Sequence, residues 1–330
     1  MLPFLKLAFI SVFLLTVLPA VAGLSNINAD SIVSSDKIFA GTFANDATFR
    51  TDYYFTQGLT ANLVHPALQH SPVNKILFGL KESTNRYYGI GIRYDGFTPL
   101  KILDKNIRYG DRPYAAYVYT SHYQINNNTA KKQRLTNGLD IGFIGPGAGA
   151  KAFQTKVHQW LDSPPPQGWD YQIRNDLILA YHANFEKQLV ALGKTAALIG
   201  NTGATLGTLY TFATGGVLLR AGTMNNYFQN LGLSARENRQ GLQKFQFYAQ
   251  GRLNGRLVGY NATLQGGLLN KHSPYTLSAN QVSRAVLQKS AGLVCTYGGV
   301  SFESSVVWIS PEFEDARRHQ WMHFDLRFIL

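Results

Sequence analysis

In the closing stretch of the chain, Met322, Phe324, Leu326, Phe328 and Leu330 alternate with His323, Asp325 and Arg327. A strand puts successive side chains on opposite faces, so one face here is apolar and the other carries three ionisable groups. That is the period expected where one side of a sheet meets lipid and the other a polar interior. In a sandwich core the same three groups would have to be buried at high cost. The alternation recurs, less cleanly, in Tyr88 to Tyr94, in Phe245 to Leu253 and in Ser304 to Trp308. An open sheet edge in hydrocarbon leaves backbone groups unpaired, so such strands must close on themselves. The expected fold is all-β, an antiparallel transmembrane up-and-down β-barrel. Its competitor is a soluble periplasmic all-β domain.

The compartment follows from the front of the chain. Met1 to Ala22 has a short start carrying Lys6, an apolar middle, and Ala20 and Ala22 in the A-x-A pattern of a secretory signal. Residues 1–22 are therefore expected to be a signal peptide and 23–330 one outer-membrane barrel domain. No later apolar run is long enough for a membrane helix. The 31 glycines, 18 tyrosines and 20 phenylalanines lean toward strands and tight turns. The net charge of +12 suits an anionic partner, but the basic residues are scattered, with no arginine-rich recognition helix and no zinc-finger spacing. Nucleic acid is excluded as a partner on that ground. The one cysteine, Cys295, leaves no intramolecular disulfide. A closed barrel needs no partner, so a monomer is expected.

Along the chain, Thr42 to Arg50 and Tyr53 to Val64 read as the first two strands, Pro66 to Asn85 as a loop, and Arg86 to Phe97 as a third strand. Tyr114 to Tyr123 and Leu135 to Phe143 form the next pair. From Ala148 to Leu161 the period changes: Phe153, Val157 and Trp160 are four and three apart, which predicts a short amphipathic helix. Gln154 and His158, also four apart, stand side by side on it. Pro164, Pro165, Pro166 and Gly168 end it. Further strands are expected over Ile178 to Leu189, Lys194 to Ile199, Ala204 to Leu219, Leu242 to Leu253, Arg256 to Leu264, Gln281 to Tyr297, Ser301 to Ile309 and His319 to Leu330.

Three places can carry chemistry. His158 stands on a helix inserted between barrel strands and titrates near neutrality, so it is either a general base or a surface histidine on a capping helix. Asn45-Asp46 interrupts the first strand; an amide oxygen beside a carboxylate can hold a hard cation, and the same pair is common in turns. In Gly110-Asp111-Arg112-Pro113-Tyr114, Asp111 and Arg112 either pair with each other or stand ready for a phosphate.

Taken in order, Phe43-Ala44-Asn45-Asp46, Thr51 to Leu59, Gly110 to Ala115, Asp140 to Pro146, Gln154 with His158, and Gly168 to Asn175 resemble the motifs of the LpxR-type lipid A 3'-O-deacylases, enzymes of the bacterial outer membrane. The resemblance spans roughly Thr42 to Tyr181. It implies a twelve-stranded barrel with its site facing the outer leaflet, and hydrolysis of the ester that joins the 3'-acyloxyacyl chain to lipid A, the anchor of lipopolysaccharide. It implies His158 as base, Asn45 and Asp46 as the paired site residues, Thr56 as the site hydroxyl and Gln154 beside the base; Asn45 would then be a metal ligand, and Asp46 either a metal ligand or the group that holds the imidazole in its useful tautomer. The implied cofactor is Ca²⁺ or another divalent cation. The family's catalytic lysine falls in the connection before Gly110, where Lys101 and Lys105 both stand. With Arg112 these are the candidates for the lipid A phosphates. The alternatives from other classes are a porin or passive channel, in which the helix would constrict a water path, and an outer-membrane phospholipase, for which no serine motif stands beside a histidine.

Overall fold

The structure is a computed structural model describing residues 24–25, 32–193, 195–233 and 241–330. The expected signal peptide, residues 1–22, and the domain boundary after it lie outside the described residues.

Among the described residues, twelve long strands form the barrel: β1 Ile38–Asn45, β2 Tyr54–Val64, β3 Asn85–Thr98, β4 Ala115–Asn128, β5 Gln133–Ile144, β6 Asp176–Leu192, β7 Ala196–Gly207, β8 Tyr210–Thr223, β9 Phe245–Asn261, β10 Ala285–Tyr297, β11 Val300–Ile309 and β12 His319–Ile329. Each pairs antiparallel with its neighbours in sequence, and β12 pairs with β1 from Ile329 opposite Ile38 to Met322 opposite Asn45, which closes the sheet. Closure leaves no long edge to be satisfied in lipid. No described helix is long and apolar enough to cross a membrane; the strands do the crossing.

The alternation sorts as expected. Trp321, His323 and Arg327 line the interior, while Leu326 is exposed on the outer face. The same outer face elsewhere shows Phe43, Ile92, Ile141, Leu219, Leu253 and Leu293. Large apolar groups exposed all around a closed sheet are stable only against lipid. The chain is an outer-membrane barrel.

Several expected boundaries move, the fourth strand for one running on from Tyr123 to Asn128. β9 is one 17-residue strand, not two, because Asn254 and Gly255 pair in register across both neighbours rather than turning the chain. The stretch from Ala204 to Leu219 is split by a tight turn at 208–209, and β7 absorbs the expected separate piece at Ile199. The first strand stops at Asn45: Asp46 opens a 3₁₀ turn, Ala47–Phe49, and Arg50 takes a left-handed φ of 54°.

The two ends of the barrel differ. Ile38 and Ile329, the barrel's termini, lie at one end with the short turns 129–132 and 298–299, the connection 65–84 and the one after β8; the opposite end carries 46–53, 99–114, 145–175, 262–284 and 310–318, with the turn 208–209. Short turns face the periplasm in such barrels and longer connections face outward. The interior holds a polar cavity of about 700 Å³ lined by Arg93, Asp140, His182, Arg256, Glu303 and Arg327, among others. Phe55, Phe97, Tyr117 and Trp321 pack together beside its outer end. Phe228 and Leu233, from the connection after β8, are fully buried and belong to packed clusters toward the periplasmic end.

Candidate functional site

The connection between β5 and β6 folds over the outside of the barrel. Gly145 donates its amide to the Ala116 carbonyl (2.8 Å), and Gly147 donates to the Asn175 side-chain oxygen (2.8 Å), so the two ends of the connection are stapled together at the rim. Gly145 sits at φ +116°, and a Cβ there would fall 2.5 Å from the Asn175 amide nitrogen. Only glycine fits that conformation and that approach. Gly145→Ala should therefore cost about 1–3 kcal/mol locally and loosen the connection. Limited proteolysis of the folded barrel checks this: cleavage between residues 145 and 175 should speed up while the strands stay protected.

From this staple runs α1, Ala150–Trp160. Its Phe153 ring meets Tyr94 edge to face at 5.9 Å, and Ala150 packs with Tyr114, Ala116 and Trp169. Tyr94 alternates with the interior-lining Arg93 and Asp95, so the helix lies against the outer wall. It does not constrict the interior, as the channel reading requires. Trp160 is 83% exposed and Leu161 57%, and both project from the same end of the helix as His158. At an outer-leaflet interface a bare tryptophan is at home.

His158 stands near the C-terminus of α1, where Asp162 turns left-handed at φ 51° and the chain doubles back. The Pro164 carbonyl lands 2.7 Å from His158 Nδ1. A carbonyl only accepts, so Nδ1 carries the proton and Nε2 is the basic nitrogen. Nε2 lies 3.2 Å from Asp52 Oδ2, with the histidine side chain 12% and the aspartate 36% exposed. Gln154 donates from Nε2 to Asp52 Oδ1 at 3.2 Å, and its Oε1 accepts from Trp169 Nε1 at 2.7 Å. The i, i+4 spacing read from the sequence does bring Gln154 and His158 to one point, and the point is Asp52. Burial raises the Asp52 carboxyl above its ordinary range, against the pull of His158 and the Gln154 hydrogen bond.

A second cluster adjoins the first through Thr51 and Tyr53. Asn45 donates to the Thr56 carbonyl at 2.7 Å, and its own Oδ1 accepts the Ala47 amide at 2.7 Å. Asp46 is buried; its Oδ2 accepts from the Thr51 hydroxyl at 2.8 Å and from the Tyr53 amide at 3.4 Å. Burial pushes its carboxyl up to about 8, with the charge of Asp52 adding to the rise and Thr51 opposing it. Thr56 is buried and its hydroxyl donates to the Gly96 carbonyl at 3.3 Å. His319, a residue the sequence reading did not single out, approaches Asp46 Oδ2 at 3.9 Å and donates from the same Nε2 to the Phe55 carbonyl at 2.8 Å. Asp46 thus sits by His319, and the task of fixing the His158 tautomer falls to Pro164.

The fit of this cluster to a divalent cation can be judged from its donors. Asn45, Asp46, Thr51 and Thr56 offer oxygen, the ligand type of a hard cation, and a buried carboxyl held up by desolvation is one that a nearby positive charge would ionise. Among the described residues no group of three or more His, Cys, Asp or Glu converges as a ready-made cage. The residues fit an ion completed by amide, hydroxyl or backbone oxygens.

The three basic candidates separate. Lys101 and Lys105 are exposed in the β3–β4 connection. That connection is tied to the His158 loop, since Gln167 donates its amide to the Ile102 carbonyl at 2.8 Å. Arg112 is elsewhere. It is 1% exposed, its Nη1 meets Glu312 at 2.8 Å, its Nη2 donates to Thr263 at 2.7 Å, and its guanidinium lies 4.2 Å over Phe97. Nor do Asp111 and Arg112 form a side-chain pair: Asp111 takes Arg108 (3.1 Å) and the Leu100 amide. Arg112 is a tie across the barrel mouth, away from the lipid-facing wall.

A closed twelve-stranded barrel with an exposed apolar belt, and a histidine–aspartate pair outside it at the outer rim, defines an outer-membrane protein. The sequence profile of the family described as "Outer membrane protein LpxR" matches residues 7–329, and the chain belongs to that family. Among solved structures, LpxR from Salmonella typhimurium is similar over 89% of this chain and 100% of its own, at 19% identity and a TM-score of 0.70, which shows the shared fold. The β domain of the Bordetella autotransporter BrkA aligns over 90% of this chain and 99% of its own, at 10% identity and a TM-score of 0.42. No curated protein sequence matches.

Proposed function

We propose that this chain is a lipid A 3'-O-deacylase that hydrolyses the ester joining the 3'-acyloxyacyl chain to the sugar. The observation that carries the reading is His158 on the outer wall: its Nδ1 proton is committed to Pro164 and its Nε2 is left facing Asp52 Oδ2 at 3.2 Å. Membership of the LpxR family supports the substrate.

In this reading His158 Nε2 takes a proton from water as the water oxygen adds to the ester carbonyl. The imidazolium returns that proton to the departing sugar oxygen, leaving a free 3'-hydroxyl and a carboxylic acid. No covalent acyl-enzyme is needed. Asn45 and Asp46 would hold a divalent cation, Ca²⁺ by their all-oxygen chemistry, and Thr56 would support that shell. Bound there, the ion supplies positive charge for the developing oxyanion. Gln154 holds Asp52 against the base. Lys101 and Lys105, on the connection tied to the His158 loop, would meet the lipid A phosphates.

The test is mass spectrometry of lipid A incubated with the purified barrel in detergent. Loss of the 3'-acyloxyacyl mass is expected, together with a fall in rate on chelation and its recovery on adding Ca²⁺. Intact lipid A with a folded, Ca²⁺-supplied barrel would refute the deacylase.

A further inference from the structure

Nothing in the chain's motifs gives Asp52 a task, yet Asp52 is the group toward which the reactive side of the site converges. Its Oδ1 accepts from Gln154, whose amide is fixed at the other end by the buried Trp169 indole N–H (2.7 Å). Its Oδ2 is left facing His158 Nε2 at 3.2 Å. The Nδ1 proton of that histidine is already given to Pro164. With Asp52 ionised and the imidazole neutral, Nε2 and Oδ2 are therefore two acceptors side by side. Two lone pairs in contact are satisfied in only two ways: they share an added proton, or both accept from a third molecule.

We propose that Asp52 is a catalytic residue which, with His158, holds the attacking water by accepting one of its two O–H groups. The inference rests on the deacylase reading and adds to it the group that positions the nucleophile. Water donates one hydrogen to His158 Nε2 and the other to Asp52 Oδ2, so its oxygen lone pair points away from both, toward the ester. As the O–C bond forms, the proton on the Nε2 side passes to the imidazole, and the ionised Asp52 beside it stabilises the imidazolium. The ester C–O bond then breaks and the imidazolium proton goes to the sugar oxygen, so one water is consumed and the pair returns to its starting charge. The proton-sharing form is the idle state, because a proton between Oδ2 and Nε2 excludes the water. Gln154 and Trp169 are positioning residues: they occupy Oδ1 and thereby select which carboxylate oxygen meets the water. A helix glutamine bonded at both ends of its amide is an expensive way to decorate a surface, but it fixes a carboxylate well.

The experiment compares Asp52→Asn, Asp52→Glu and Trp169→Phe with wild type on lipid A, with folding confirmed by heat-modifiable gel mobility. Asparagine keeps the shape but turns either a donor or a weak acceptor to Nε2. It should lower kcat by about 10²–10³-fold with KM within about twofold, as loss of a positioned acid–base partner does. Glutamate should recover part of that loss, and Trp169→Phe should lower kcat by a smaller factor. The acid limb of the wild-type kcat profile, where the shared proton is lost, should move in Asp52→Asn. A kcat for Asp52→Asn within about threefold of wild type, or a loss confined to KM, overturns the proposal. The pairing has a readout that needs no turnover. In ¹⁵N-histidine-labelled barrel, with His158 assigned by its loss in His158→Asn, Asp52→Asn should move the His158 Nε2 resonance at fixed pH, because the group 3.2 Å from that nitrogen changes from a carboxylate to an amide. An unmoved His158 resonance overturns the pairing. A wild type that leaves lipid A intact while that resonance does move refutes the deacylase reading alone.

Discussion

His158→Ala should abolish release of the 3'-acyloxyacyl chain, with kcat falling by at least about 10³-fold while the barrel folds and inserts normally. The size of the effect follows from what the side chain does and does not support. Its ring makes one backbone hydrogen bond, to Pro164, at the end of a surface helix. No strand depends on it. Truncation to alanine removes the proton acceptor from the site and leaves Asp52 with no base beside it, so the loss should appear in kcat and not in melting behaviour. Lipid A from cells expressing the variant, read by mass spectrometry beside wild type, gives the answer directly. His158→Gln is the second variant: it retains a polar group of similar reach but no base near neutrality, and should be as inactive as alanine. If either variant kept a tenth of the wild-type rate, Asp52 alone or some other group would have to be the base.

How much of this was legible beforehand depends on whether a signal is local. The period of two in β12 fixes an amphipathic strand within eleven residues, and it sorted Leu326 outward and Arg327 inward. The helix was legible because Phe153, Val157 and Trp160, four and three apart, break that period. β9 misled because Asn254-Gly255 carries the composition of a turn; only the neighbouring strands, pairing straight through it, make the segment continuous. In the site, Asn45 and Asp46 stood out as a pair, but Asp52 sits in a run that reads as the approach to a strand. Its meaning comes from Gln154, 102 residues later, and from the positions of two connections on the outer wall. The basic residues before Tyr114 looked alike in sequence. Burial distinguishes Arg112 from Lys101 and Lys105, and burial is set by Glu312, 200 residues away.

Arg112 yields the largest expected effect on stability, and the same variant tells a structural arginine from a phosphate-binding one. The guanidinium joins three connections at the outer mouth: it belongs to the one before β4, meets Glu312 before β12, and bonds Thr263 in the short helix Ala262–Gln265 after β9. Its stacking over Phe97 adds a cation–π contact in a site without solvent. Arg112→Met keeps the bulk and removes the charge. Glu312 is left facing an apolar group with 19% of its side chain exposed, so part of its lost partner is replaced by water. Breaking a fully buried pair costs about 3–5 kcal/mol, and the partial exposure places this one near the lower end, about 3 kcal/mol. Arg112→Lys should recover only part, because an ammonium cannot serve Glu312 and Thr263 in the fork geometry. Arg112→Met with Glu312→Leu should melt above Arg112→Met alone, since the unpaired acid is then gone. Heat-modifiable gel mobility measured against temperature gives the order: wild type, then the double variant and Arg112→Lys, then Arg112→Met. Below the melting range all four should hydrolyse lipid A with the KM of wild type. An Arg112→Met barrel that melted normally but showed a KM raised tenfold would return Arg112 to the phosphates; a lowered melting point with unchanged KM leaves that task to Lys101 and Lys105, on the connection that reaches His158.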